Sequence, residues 1–183
     1  LTGSTSDVKA ALAGNVGAAY TGNIVLNDAD NTSIAAADIT TIESDTTGTI
    51  TVSNNINLTG TSAQIAAAVA DVNTFSGTPT ATLGDAHTLA ELVAINNALS
   101  GTLTLNDYTV ALNGASADIA DALAGTFADT YSGTATLTDN HTLAELVAIN
   151  NGTSGNITLN SNAVALTGST SDVKAALAGN VGA

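Results

Sequence analysis

The sequence restarts itself. Residues 1–18 and 166–183 are identical, letter for letter, at an offset of 165. A second identity, HTLAELVAINN, occupies 87–97 and 141–151, at an offset of 54. Self-similarity of this kind constrains a fold strongly. A short unit cannot bury its apolar face alone, so neighbours must stack and bury it jointly.

Two markers give the period. Ser/Thr-Gly pairs stand at Thr21-Gly22, Thr47-Gly48, Ser76-Gly77, Ser100-Gly101, Ser132-Gly133 and Ser154-Gly155, and the steps between their glycines alternate short and long. The triplet LTG or LNG begins at Leu1, Leu58, Leu112 and Leu166, in steps of 57, 54 and 54. Units of roughly 27 residues, within the range of solenoid repeats, thus pair into double repeats of roughly 55. Three such pairs make a super-repeat with the offset of 165. A segment of a longer array restarts in this way. The expectation is one continuous segment over residues 1–183, with 1–165 as one super-repeat and 166–183 opening the next.

Each Ser/Thr-Gly pair precedes an alternating stretch, such as Thr49-Ile50-Thr51-Val52, Thr102-Leu103-Thr104-Leu105 or Asn156-Ile157-Thr158-Leu159. Period two predicts strands with Ile50, Val52, Leu103, Leu105, Ile157 and Leu159 inward and threonine outward. Asn/Asp turns follow, and second short strands are expected at 55–58, 108–112 and 162–166. Thr61…Gln64, Thr88…Glu91 and Thr142…Glu145 have capping-box spacing, with shorter-armed versions at Ser4…Asp7 and Ser169…Asp172. Behind two of them, Leu89, Leu92, Ile95 and the copies Leu143, Leu146, Ile149 form apolar helical faces. The expected fold class is α/β: a tandem-repeat solenoid with a parallel β-sheet along one side and one helix per repeat unit.

Charge and composition narrow the function. Lys9 and Lys174 are the only basic residues against 16 Asp and Glu, a formal charge of −14. Nucleic-acid binding needs a basic patch to neutralise phosphates, and anionic membranes need the same, so neither is an expected partner. The absence of Cys excludes disulfides and thiolate metal sites. The 44% hydrophobic fraction is mostly Ala, Leu, Val and Ile, which suits thin, closely spaced layers. No stretch reads as a membrane span, so no membrane insertion is expected.

The stretches TSGNITLN (153–160), YSGTATLTDNHTLAELVAINN (131–151) and LTGTSAQIAAAVA (58–70) resemble the tandem repeats of giant extracellular or cell-surface proteins of bacteria, especially cyanobacteria. The resemblance covers essentially the whole chain. It implies an extracellular or cell-surface location, export by a type I route, and roles in surface layers, adhesion, motility or sheath. The chain lacks the glycine-aspartate nonapeptide often found with such proteins, so calcium dependence stays open.

The expected function is structural: a repeat segment of a large extracellular protein forming a fibre, stalk, sheath or surface layer. Its expected partners are itself, in a longer array or end to end, and the cell surface or extracellular matrix. The alternative is a binding module for cells, ice or glycan. It would use an outward ladder of Thr49, Thr51, Thr80, Thr82, Thr102, Thr104, Thr134 and Thr136. The turn residues Asp28, Asp30, Asp85, Asp107 and Asp139 suit either Ca²⁺, the one candidate cofactor, or the turns and caps themselves. Tyr20, Phe75 and Tyr131 each precede a Ser/Thr-Gly pair and are expected to form an aromatic ladder in the core. His87 and His141 each stand two positions after an aspartate, Asp85 and Asp139. The two copies lie two units apart and do not converge, so no catalytic residues are expected and the chain is read as no enzyme.

Overall fold

The fold is that of a computed structural model, which describes residues 1–14, 19–179 and 181–182. In chain order it runs β1 (Thr2–Gly3), α1 (Thr5–Leu12), β2 (Ile24–Leu26), β3 (Ser33–Ala35), α2 (Ala36–Ser44), β4 (Ile50–Val52), β5 (Asn57–Gly60), α3 (Ser62–Asp71), β6 (Thr74–Phe75) and β7 (Thr80–Leu83). It continues with α4 (Leu89–Ala98), β8 (Leu103–Thr104), β9 (Leu112–Gly114), α5 (Ser116–Leu123), β10 (Ala135–Leu137), α6 (Leu143–Gly152), β11 (Ile157–Thr158), α7 (Thr170–Ala176) and β12 (Val181–Gly182). The helix starts at Ala36, Ser62, Leu89, Ser116, Leu143 and Thr170 are almost evenly spaced, and each helix packs on the next.

The chain is α/β, and every strand pairing is parallel. The strands do not form the single sheet expected. They form three sheets of four, β1-β2-β4-β6, β3-β5-β7-β8 and β9-β10-β11-β12. The register gives the reason. Each LTG or LNG strand lies beside the strand after the next Ser/Thr-Gly: Thr2 aligns with Val25, Leu58 with Ala81, and Leu112 with Ala135. Successive strands of one unit, such as β4 and β5, therefore enter different sheets. The turn between them redirects the chain, so the backbone groups of β5 meet β3 and β7.

The second short strands also differ from expectation. Two form later than the alternation suggests, at Asn57–Gly60 and Leu112–Gly114, because they run on towards the helix N-cap. None forms at 162–166.

The core consists of short aliphatic columns across the strands. Ile24 sits beside Ile50, Leu58 beside Ala81 and then Leu103, and Ala135 beside Ile157, all buried. Helix residues Ile39, Ile65, Leu92, Ile119 and Leu146 close the columns and are fully buried. Each large aliphatic contributes roughly 1.5–3 kcal/mol on burial. The capping boxes close in both directions at Thr61/Gln64, Thr88/Glu91 and Thr142/Glu145. α2 and α5 have no side-chain cap at their N-cap positions.

Candidate functional site at the seams between units

A helix leaves its first N–H groups without partners inside the helix. In α1, α3 and α5 the next unit supplies one. Asp28 accepts from the N–H of Thr5 (2.9 Å) and from its hydroxyl (2.6 Å). Asp85 accepts from the N–H of Ser62 (2.6 Å), and Asp139 from that of Ser116 (2.8 Å). Each carboxylate lies 23 residues after the helix start it caps. A carboxylate here also meets the positive end of the helix dipole.

The duplicated HTLAELVAINN stretch is built for the same seams. Glu91 accepts the N–H of Thr88, closing its own capping box, and also the hydroxyl of Ser62 one helix earlier (2.9 Å). Glu145 does the same for Thr142 and Ser116 (2.9 Å). These bonds, led by the backbone N–H of Thr88 or Thr142, hold both carboxyls below the usual glutamate range. Asn96 donates to the carbonyl of Ala122 at the end of α5, and Asn150 to that of Ala175 (2.6 Å) in α7. Leu89 and Leu143 rest against Gly114 and Gly168, where a β-carbon would collide with the leucine methyl. Helix ends are thus completed from both sides: the following unit caps an N-terminus, the preceding one a C-terminus.

The Ser/Thr-Gly glycines have a seam reason too. A β-carbon on Gly48 would run into the carbonyl of Gly22, and one on Gly155 into that of Gly133. The backbones of successive units approach too closely there for any side chain.

One polar cluster sits inside the core. His87 is 3% exposed and Tyr131 1%. Nε2 of His87 lies 3.0 Å from the Tyr131 hydroxyl, which donates to the carbonyl of Val110 (2.7 Å). With that proton committed, Nε2 is the donor, and neutral imidazole leaves Nδ1 as a buried acceptor without a partner. Burial pushes the His87 pKa down, against the weaker pull of Asp107, Glu91 and Asp85. Phe127 also packs on Tyr131, with ring centroids 5.8 Å apart. Sequence reasoning marked His87 and Tyr131 separately and missed their contact and Phe127. The signal available was the alternating pattern that placed an aromatic before every second Ser/Thr-Gly.

The remaining expectations distribute over the fold. Asp30 accepts from the N–H of Asn55 (2.9 Å), and Asp107 from the N–H and hydroxyl of Thr109 (2.7 Å each). The five turn aspartates are not brought together. Among the described residues no three His, Cys, Asp or Glu converge as a metal site would require. The candidate outward threonines are all exposed or half-buried and are divided among the sheets. Thr51 aligns with Val25 and Thr74, Thr82 with Thr59 and Thr104, and Thr136 with Asn113 and Thr158. Thr49, Thr102 and Thr134 lie just before strands, and Thr80 and Thr82 both donate to Asn57 Oδ1. Tyr20 and Phe75 are half-buried against the core, and the ring partners of Tyr131 are His87 and Phe127, not these two.

No helix among the described residues is long and apolar enough to cross a membrane. No family model, curated protein or solved structure matches the chain.

Proposed function

We propose that this chain is a structural segment of a large extracellular protein, a solenoid whose length grows by stacking one unit on the next. The observation that carries the reading is the capping of Thr5, Ser62 and Ser116 by Asp28, Asp85 and Asp139. Every second helix thus leaves a group that the following unit satisfies, so on this reading stability comes from nearest-neighbour seams and more units can be added without redesign. The recurrence of the seam residues at 87–97 and 141–151 fits a part that repeats its joints. The resemblance to giant bacterial surface proteins supports an extracellular fibre, stalk, sheath or surface layer. A formal charge of −14 keeps such a segment soluble. No catalysis is assigned to the chain.

Electron microscopy of the protein tests it. Linear particles with a constant width are expected. Isolated globular particles without linear extension would overturn it.

A further inference from the structure

Many polar side chains of this fold are committed to a seam or a turn. Four that are not converge on one cleft, between the C-terminal ends of α4 and α5. Asn97, Ser100, Asp121 and Thr126 are exposed, line this cleft of about 330 Å³, and make no side-chain hydrogen bond among the described residues. Asn96 forms part of its wall, held by its bond to the carbonyl of Ala122. The cleft recurs at an offset of 54: Asn150, Asn151, Ser154 and Gly179 line one of about 370 Å³ where Asn96, Asn97, Ser100 and Gly125 line the first. A third cleft, of about 460 Å³, joins the two. It shares Gly125 with the first and Thr130, Asn151 and Gly152 with the second, and half-buried Phe127 lies on its wall. Together they form one groove across the ends of α4, α5 and α6. These helices have α3 packed before them and α7 after, so the groove runs along a side of the stack.

The electrostatics select the ligand. The last carbonyls of a helix lack intrahelical partners and carry partial negative charge. α4, α5 and α6 have no basic residue in the last turn to offset it, and Asp121 and Asp129 add to it. An anionic ligand is repelled here. A bound metal ion needs converging oxygen ligands, and no three His, Cys, Asp or Glu converge among the described residues. The groove instead rewards a neutral ligand rich in hydroxyl donors, with an apolar C–H face to lie on Phe127. Its repeated lining calls for a ligand that repeats as well. The clefts at Asn97 and Asn151 stand two helix spacings apart, roughly 16–20 Å, the length of a short oligosaccharide. Asn97 and Asn151 close the duplicated stretch, yet neither takes part in a seam, unlike Glu91, Asn96 and their copies.

We propose that this groove binds a neutral hexose polysaccharide along its length. Asn97 and Asn151 exchange hydrogen bonds with sugar hydroxyls, and Phe127 stacks on a sugar face. None of these residues belongs to the threonine ladder. The segment then holds a glycan strand as well as giving length.

Amide NMR of the isotope-labelled protein tests this, with cellohexaose, maltohexaose and mannohexaose added at millimolar concentration. These differ in linkage and in hydroxyl orientation. At least one should shift amides concentrated at 96–100, 121–130 and 150–154, and its disaccharide should bind more weakly. A galacturonate hexamer, the anionic control, should shift none of them. Asn97→Ala combined with Asn151→Ala leaves the seam residues in place and should weaken binding about tenfold, the worth of two hydrogen bonds. The proposal is overturned if no neutral hexaose shifts the groove amides, or if the shifts fall elsewhere. It is also overturned if the disaccharide or the galacturonate hexamer binds as well, or if the double variant binds undiminished. Each of these results leaves the structural-segment reading standing.

Discussion

Asp139 accepts a hydrogen bond of 2.8 Å from the backbone N–H of Ser116, 23 residues earlier in the chain. The helix that begins at Ser116 has no side-chain cap of its own. Its N-terminus is therefore finished by a different unit. Asp139→Ala should destabilise the chain by about 0.5–2 kcal/mol, the usual cost of losing a cap. Asp139→Asn keeps an acceptor and should cost less. Urea unfolding checks both through the midpoint, with little change in slope.

Gly155 supplies a packing test. A β-carbon there would enter the backbone of Gly133, whereas one on Gly182 would meet nothing. Gly155→Ala should cost about 1–3 kcal/mol, in line with overpacked cores, and Gly182→Ala should be near neutral. Comparing their thermal unfolding at matched concentration decides it.

Acid should weaken the fold in two stages. The His87 pKa lies below 6.5 when folded, so the unfolded chain binds the extra proton first. Stability is then full above 6.5 and falls as the pH drops through the lowered value. Glu91 and Glu145 are also lowered, from 4.5, and their contribution is present above that value and lost as the pH falls through the lowered ones. Urea midpoints taken from neutral to acid pH should show both declines. His87→Leu should remove the first and leave the second.

The sequence made local relations plain and distant ones obscure. Thr88 and Glu91 lie one helical turn apart, and their capping box could be read directly. So could the inward set Ile50, Val52, Leu103 and Leu105, because strand alternation is local. The Asp139–Ser116 cap spans 23 residues, and Asp139 looked like a turn residue or a calcium ligand. The three sheets were hidden for the same reason. Alternation identifies a strand, but the choice between β4 and β7 as a neighbour for β5 depends on how the turn redirects the chain. The contact between His87 and Tyr131 spans 44 residues, and neither residue alone announces the other.

The proposed growth by stacking makes a quantitative demand on the shape of the molecule. Small-angle scattering of this chain and of a variant carrying residues 58–111 twice checks it. The inserted pair brings two helices to the stack, each about 8–10 Å from the next. A maximum dimension greater by roughly 16–20 Å is expected, with an unchanged cross-section radius. A wider cross-section without added length would refute growth by stacking.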